Sequence, residues 1–217
     1  MVPGGLAAMA NEASIPGTLL NRLLTGQYRS VMRFFRLDDD VHVPGRWHIG
    51  DVSASSDPVP DLFSNQRLPA DIALSAPVSH RGRALDFCLT SFAVPVAKRA
   101  LADVIKAAAG AADVQVVPII IVGQPVDGFA IPHCLRTVEC LDETRADFTK
   151  WTSEDDRAER VGQYRMVVDL AIDPKKVPPD VHFFRVWGWS VALIVSQAVK
   201  EVMERTGCLG AKFYEVS

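Results

Sequence analysis

The most apolar stretch of the chain, Val114 to Val122 (VQVVPIIIV), carries a proline at its centre. It is rich in β-branched residues and far too short to span a bilayer, so it reads as a buried strand. Pro118 has no amide to give to a neighbouring strand, which implies a bulge or an edge position. The fold must therefore bury a sheet. With 217 residues the chain is long enough to do so without disulfide staples, and one domain is expected.

Other segments fall around this strand. Leu85 to Val96 begins extended, and Ala97 to Ala109 then reads as a helix. Leu101, Val104, Ile105 and Ala108 fall on one helical face, and Gly110 ends the run. Near the C-terminus, Phe183 to Val186 is a short strand. Ser196 stands before a second helix, Gln197 to Thr206, with Val199, Val202, Met203 and Thr206 on one face. Gly207 fits a left-handed cap, and Ala211 to Val216 closes as a strand. Tyr28 to Leu37 is a further strand, stopped by Asp38-Asp39-Asp40. Cys134 to Leu141 and Tyr164 to Ile172 are two more, the latter too densely apolar for one wet face.

Residues 41–80 are broken by Pro44-Gly45, Gly50, Pro58, Pro60, Pro69 and Pro77, and should be mostly irregular. Residues 1–27 read as a partly flexible arm, with one helical stripe over Thr18 to Leu24, and residues 28–217 as the domain. The order of elements gives an α+β fold with a mixed or antiparallel sheet, a few helices and a largely irregular N-terminal third. Extended segment, helix, glycine and strand occur in that order at 85–122 and again at 183–216. That echo is either two similar half-units or coincidence.

Chemical motifs are sparse. Cys88, Cys134, Cys140 and Cys208 form no CxxC pair and read as small buried thiols of a cytoplasmic protein. Gly188-Trp189-Ser190-Val191-Ala192 resembles a nucleophile elbow, but no histidine follows Ser190 to complete a triad. His42, His48, His80, His133 and His182 lack metal-ligand spacing. His133 and Cys134 are adjacent on a strand and so point to opposite faces. No phosphate-binding glycine loop occurs, so no catalytic residue, metal or cofactor is expected. A net charge of −3 gives no basic footprint for nucleic acid, and no segment reads as a signal peptide or membrane span.

One charge feature stands out. Between Glu139 and Arg160 there are eight acids against four bases, a local charge of −4 in a chain of −3. Trp151 lies inside this stretch with Asp142, Glu143, Glu154, Asp155 and Asp156. An acidic stretch around an aromatic anchor suits docking of a basic partner; a solvated polar loop is the plainer reading. Trp187 and Trp189 alternate about Gly188 and would share one face of an extended segment.

Several blocks follow one another in a recognisable order. They are Asp86-Phe87 through Val94-Pro95-Val96 into the first helix; Val116-Val117-Pro118-Ile119; Val138 to Asp142 (VECLD); Phe184-Arg185-Val186 followed by Leu193-Ile194-Val195-Ser196; and Thr206 to Phe213 with its Gly-x-x-Gly-x-x-Phe spacing. Over about 85–217 this order resembles an immunity-protein family of bacterial polymorphic toxin systems, the myxobacterial type, long known only as a domain of unknown function. Thr144, Arg145 and Ala146 stand where that family often has a serine. The resemblance implies an α+β protein that binds and neutralises a cognate toxin, with no catalytic residues to carry over. Two other readings stay open: an enzyme whose site assembles from scattered residues around Cys88 or His133, and a homodimeric structural subunit joined through the strand Ala211 to Val216.

Overall fold

The computed structural model describes residues 32–55, 58–125 and 128–217. The expected arm over 1–27, the stripe over Thr18 to Leu24 and the first residues of the strand from Tyr28 lie outside the described residues. In chain order the elements are β1 (Phe34–Asp39), β2 (His48–Ile49), β3 (Ser53–Ala54), β4 (Leu74–Ala76), β5 (Val78–His80), β6 (Phe87–Leu89), β7 (Pro95–Lys98), α1 (Arg99–Ala109), β8 (Val114–Ile121), β9 (Phe129–Cys134) and β10 (Thr137–Val138). They continue with β11 (Asp147–Lys150), β12 (Tyr164–Asp169), β13 (Phe183–Val186), β14 (Trp189–Ser196), α2 (Gln197–Arg205) and β15 (Ala211–Glu215). This is a strand-rich α+β arrangement.

The strands build two mixed sheets rather than one. The larger has the order β3-β4-β8-β9-β7-β6, the smaller β10-β13-β14-β1-β15, and β2–β5 and β11–β12 are separate ribbons. In the larger sheet only β4–β8 is a parallel main-sheet pair; in the smaller, only β10–β13. The sequence echo corresponds to a shared topology. The strands flanking α1, β7 and β8, both run antiparallel to β9, which lies between them. The strands flanking α2, β14 and β15, both run antiparallel to β1, which lies between them. Each unit is a split β-α-β with a hairpin partner outside it, β6 or β13. The difference is the middle strand. β9 follows β8 directly, whereas β1 comes from the far end of the described chain.

The helices form because their apolar residues recur at helical spacing. Leu101 and Ile105 of α1 and Val199 and Met203 of α2 enter one buried cluster with Phe35 and Leu37 of the smaller sheet and Phe87 and Val114 of the larger. The opposite faces are covered too. Trp47, Leu62 and Leu68, from the irregular third of the chain, cover the larger sheet. Tyr164, Ile172 and Val177 cover the smaller one. The described residues of 41–80 thus hold only short strands, as expected, yet supply a side of the core.

Three local expectations are corrected, and that for Pro118 is narrowed to one of its two alternatives. Asp38 and Asp39 do not stop β1, because Asp38 pairs with Arg36 at 2.6 Å and Asp39 with the buried Arg46; the strand runs through Asp39 and ends before Asp40. Pro118 makes no bulge in its register with β9. The Val122 amide donates to Ala76 across the β4 side, so by alternation the Pro118 nitrogen faces that side too, where pairing with β4 begins only at Ile119. Its missing donor meets a locally open edge. Cys134 to Leu141 is not one strand: β9 ends at Cys134 and the chain crosses to the smaller sheet, where β10 begins. Tyr164 to Ile172 is not buried on both faces. β12 belongs to an outer ribbon, and Val168 is 64% exposed.

Ser196 does precede α2, but its hydroxyl lies 3.1 Å from His182 Nδ1 and makes no cap bond. Gly207 (φ +67°) and Gly210 (φ +103°) both occupy the left-handed side of backbone space. A Cβ on Gly207 would meet nothing, while one on Gly210 would lie 2.3 Å from the Phe87 carbonyl oxygen. Gly207→Ala should therefore cost about 1 kcal/mol, from backbone strain alone. Gly210→Ala should cost at least about 3 kcal/mol, strain plus a backbone collision. Equilibrium unfolding in denaturant checks the order of the two.

Candidate partner-binding surface

The acidic segment supplies β11, the turn before it and most of the loop that joins it to β12. Backbone bonds close that loop: the Trp151 amide donates to Gln163 at 2.9 Å and the Gly162 amide to Trp151 at 3.0 Å. Asp155 accepts from the Thr152 amide at 2.7 Å and from its hydroxyl at 3.0 Å, and takes Arg165 at 2.8 Å. The Arg165 guanidinium in turn sits 5.0 Å above the Trp151 ring. Trp151 is thus half-buried under a paired arginine rather than presented as an open anchor.

Two more of the acids are engaged locally. Glu143 accepts from Lys150 at 2.6 Å and from the Tyr164 hydroxyl at 2.7 Å. Asp142 accepts from the Thr144 hydroxyl at 2.7 Å and its amide at 3.1 Å, a turn closed by the side chains of both residues. These bonds hold all three carboxyls below their ordinary range: the Thr144 hydroxyl for Asp142, Lys150 for Glu143, the Thr152 amide for Asp155. Burial, then the Glu143 bond, raises the Tyr164 phenol, which stays a donor. By contrast Glu154, Asp156 and Glu159 are exposed and enter no ion pair among the described residues.

The ribbon docks on the β13–β14 hairpin. The Tyr164 amide donates to the Gly188 carbonyl at 3.1 Å, and the Tyr164 ring lies where a Cβ on Gly188 would come within 3.1 Å. Gly188 takes φ +74° in the hairpin turn, so Trp187 and Trp189 do not share a face of one strand. Trp189 packs against the outer core of the smaller sheet, whereas Trp187 is 44% exposed at the tip. Val161, Met166, Val168 and Val191 are also exposed on the ribbon and hairpin. Sequence reading missed those four because apolar residues in short strands look alike whether a second layer covers them or not.

The cysteines and histidines are placed structurally. His133 Nε2 lies 2.8 Å from the Gln66 carbonyl and its Nδ1 has no partner; burial lowers its pKa. Cys134 Sγ lies 3.2 Å from the Arg136 carbonyl. No thiol bonds a histidine among the described residues, and no group of three His, Cys, Asp or Glu side chains there could hold a metal. Burial raises Cys88 and Cys140 to about 12 and Cys134 and Cys208 to about 11. A further buried group escaped sequence reading: Arg185, with its guanidinium 4.6 Å over Phe63 and one bond to the Ser190 carbonyl at 2.5 Å. No helix among the described residues is long and apolar enough to cross a membrane.

Residues 123–217 match the model of an immunity protein family, Imm11. No curated protein matches the chain. The Imm11 match starts after β8, later than the resemblance read from about 85. It holds every strand of the smaller sheet except β1, together with α2, the ribbon and the exposed hairpin tip.

Two checks follow from these placements. Asp155→Ala should cost about 1 kcal/mol through its lost loop bonds, and Asp156→Ala less than about 0.5 kcal/mol, in the same unfolding assay. A thiol reagent at neutral pH should modify at most the half-buried Cys208 in the native chain and all four cysteines once it is unfolded. Rapid native reaction of Cys88 would favour the enzyme reading over the immunity reading.

Proposed function

We propose that the chain is a non-catalytic immunity protein that binds a cognate toxin of a polymorphic toxin system and neutralises it in the bacterial cytoplasm. The match of residues 123–217 to an immunity protein family carries this reading. The matched segment also supports it physically. Its thiols lie in the core or half-buried, and Asp142, Glu143 and Asp155 are tied into turns and ion pairs, while its ribbon and hairpin expose a tryptophan and four aliphatic side chains to solvent. Exposed aromatic and aliphatic side chains on neighbouring elements are the usual raw material of a protein interface.

On this reading Trp187 is the anchor. Met166, Val168 and Val191 supply apolar contact, and Glu154 and Asp156 are the free acids that steer a basic partner. Asp142, Glu143, Asp155 and Trp151 hold the surface in shape, and Trp189 supports the hairpin from the core side.

The test is co-expression with the toxin encoded beside it, followed by affinity measurement on the purified pair. Protection by the wild-type chain and a stoichiometric complex are expected. Trp187→Ala should weaken the complex by about 2 kcal/mol, roughly thirtyfold, with unfolding unchanged. Glu154→Ala with Asp156→Ala should slow association at low salt and leave dissociation nearly unaltered. A chain that binds no toxin and gives no protection sinks the proposal.

A further inference from the structure

Open sheet margins invite pairing with another strand, and short edge strands are one way proteins avoid it. Among the described residues, three of the four main-sheet margins are short: β10 and β3 have two residues each and β6 has three. β6 is also occupied, since the Leu209 carbonyl accepts from the Asp86 and Phe87 amides at 2.9 and 3.2 Å. The fourth margin, β15, is different. It runs five residues, contains no proline and pairs with β1 without a register shift.

Its outer groups follow from alternation. The Val216 amide donates inward to Phe34 at 3.1 Å, so Lys212 and Tyr214 also direct their main chain toward β1. Ala211, Phe213 and Glu215 direct theirs outward. Neither the Phe213 nor the Glu215 amide has a backbone partner among the described residues. The Ala211 carbonyl, by the same alternation, is the outward acceptor at the start of the strand.

This edge is complementary to itself. Two antiparallel copies related by a two-fold axis at Phe213 would exchange both main-chain bonds at Phe213. Each Glu215 amide would donate to the Ala211 carbonyl of the other copy. Lys212 would stand opposite Tyr214, a ring over which its own ammonium already lies at 5.4 Å, and Glu215 opposite the small Ala211. Sliding the pairing two residues one way sets Lys212 against Lys212; sliding it the other way carries Ala211 past the end of the strand. One register thus uses all the free groups and opposes no like charges.

We propose that two copies of the chain join edge to edge through β15, antiparallel about Phe213, so that the two five-stranded sheets become continuous. The contact is isologous, as a closed dimer requires, and it leaves the ribbon loop and hairpin tip to other partners.

The test uses the full chain in sedimentation equilibrium, alongside amide hydrogen exchange. The wild type and Glu215→Ala should be dimers; Glu215→Pro should be a monomer with an unchanged far-ultraviolet spectrum, because the amide it removes points away from β1. Exchange at Phe213 and Glu215 in the wild type should slow as concentration rises, which decides the matter even if the proline variant fails to fold. A monomeric wild type, a folded dimeric Glu215→Pro, or a dimer whose Phe213 and Glu215 amides exchange freely would overturn the proposal. Toxin binding by a monomeric chain would overturn it too, while leaving the immunity reading intact.

Discussion

Buried apolar clusters lie on both faces of each sheet, and the seam where α1 meets α2 is what lets the sheets share one interior. Leu101 and Ile105 meet Val199 and Met203 there, between Phe35 and Leu37 on one side and Phe87 and Val114 on the other. Each fully buried aliphatic side chain in that seam contributes about 2 kcal/mol. Sharing the helices leaves each sheet with one uncovered apolar face, which must find its own cover. Trp47, Leu62 and Leu68 arrive from a proline-broken segment with little regular structure; Tyr164, Ile172 and Val177 arrive from the ribbon and the loop after it. The two covers are what the shared helices cannot supply.

That division of labour bears on function. The inner layers are packed and have no reason to vary with a partner. The ribbon cover is different: it is built from loop and short strand, held by turn bonds such as Asp155 to Thr152, and exposes Val168 outward. Binding sites concentrate on such elements when a rigid scaffold holds them. The match to an immunity protein family includes this cover and most of the sheet beneath it. β1 enters the smaller sheet between β14 and β15 from outside the matched stretch.

Much of the local structure was legible in the sequence. The helices showed themselves by spacing, with Leu101 and Ile105 four residues apart and Val199 and Met203 likewise, and Gly110 and Gly207 marked their ends. The strand Trp189 to Ser196 was obscured by the glycine turn at Gly188, which breaks the alternation that would reveal a hairpin. Cys134 to Leu141 read as one strand because a chain crossing between sheets stays apolar on both sides of the step. Of the expected surface, Trp187, Glu154 and Asp156 are exposed as a binding role needs. Trp151 and Asp155 are not free, because a sum of charges along the sequence says nothing of the arginine, lysine or hydroxyl that each acid meets after folding.

The central claim is neutralisation by binding, and a titration tests it most directly: residual activity of the cognate toxin against increasing amounts of the chain. Capture predicts a sharp end point at stoichiometric equivalence, independent of incubation time, with active, chemically unaltered toxin recovered when the complex is taken apart. Loss of toxin activity at far below one equivalent, growing with time and accompanied by a covalent change in the toxin, would contradict it and identify the chain as an enzyme.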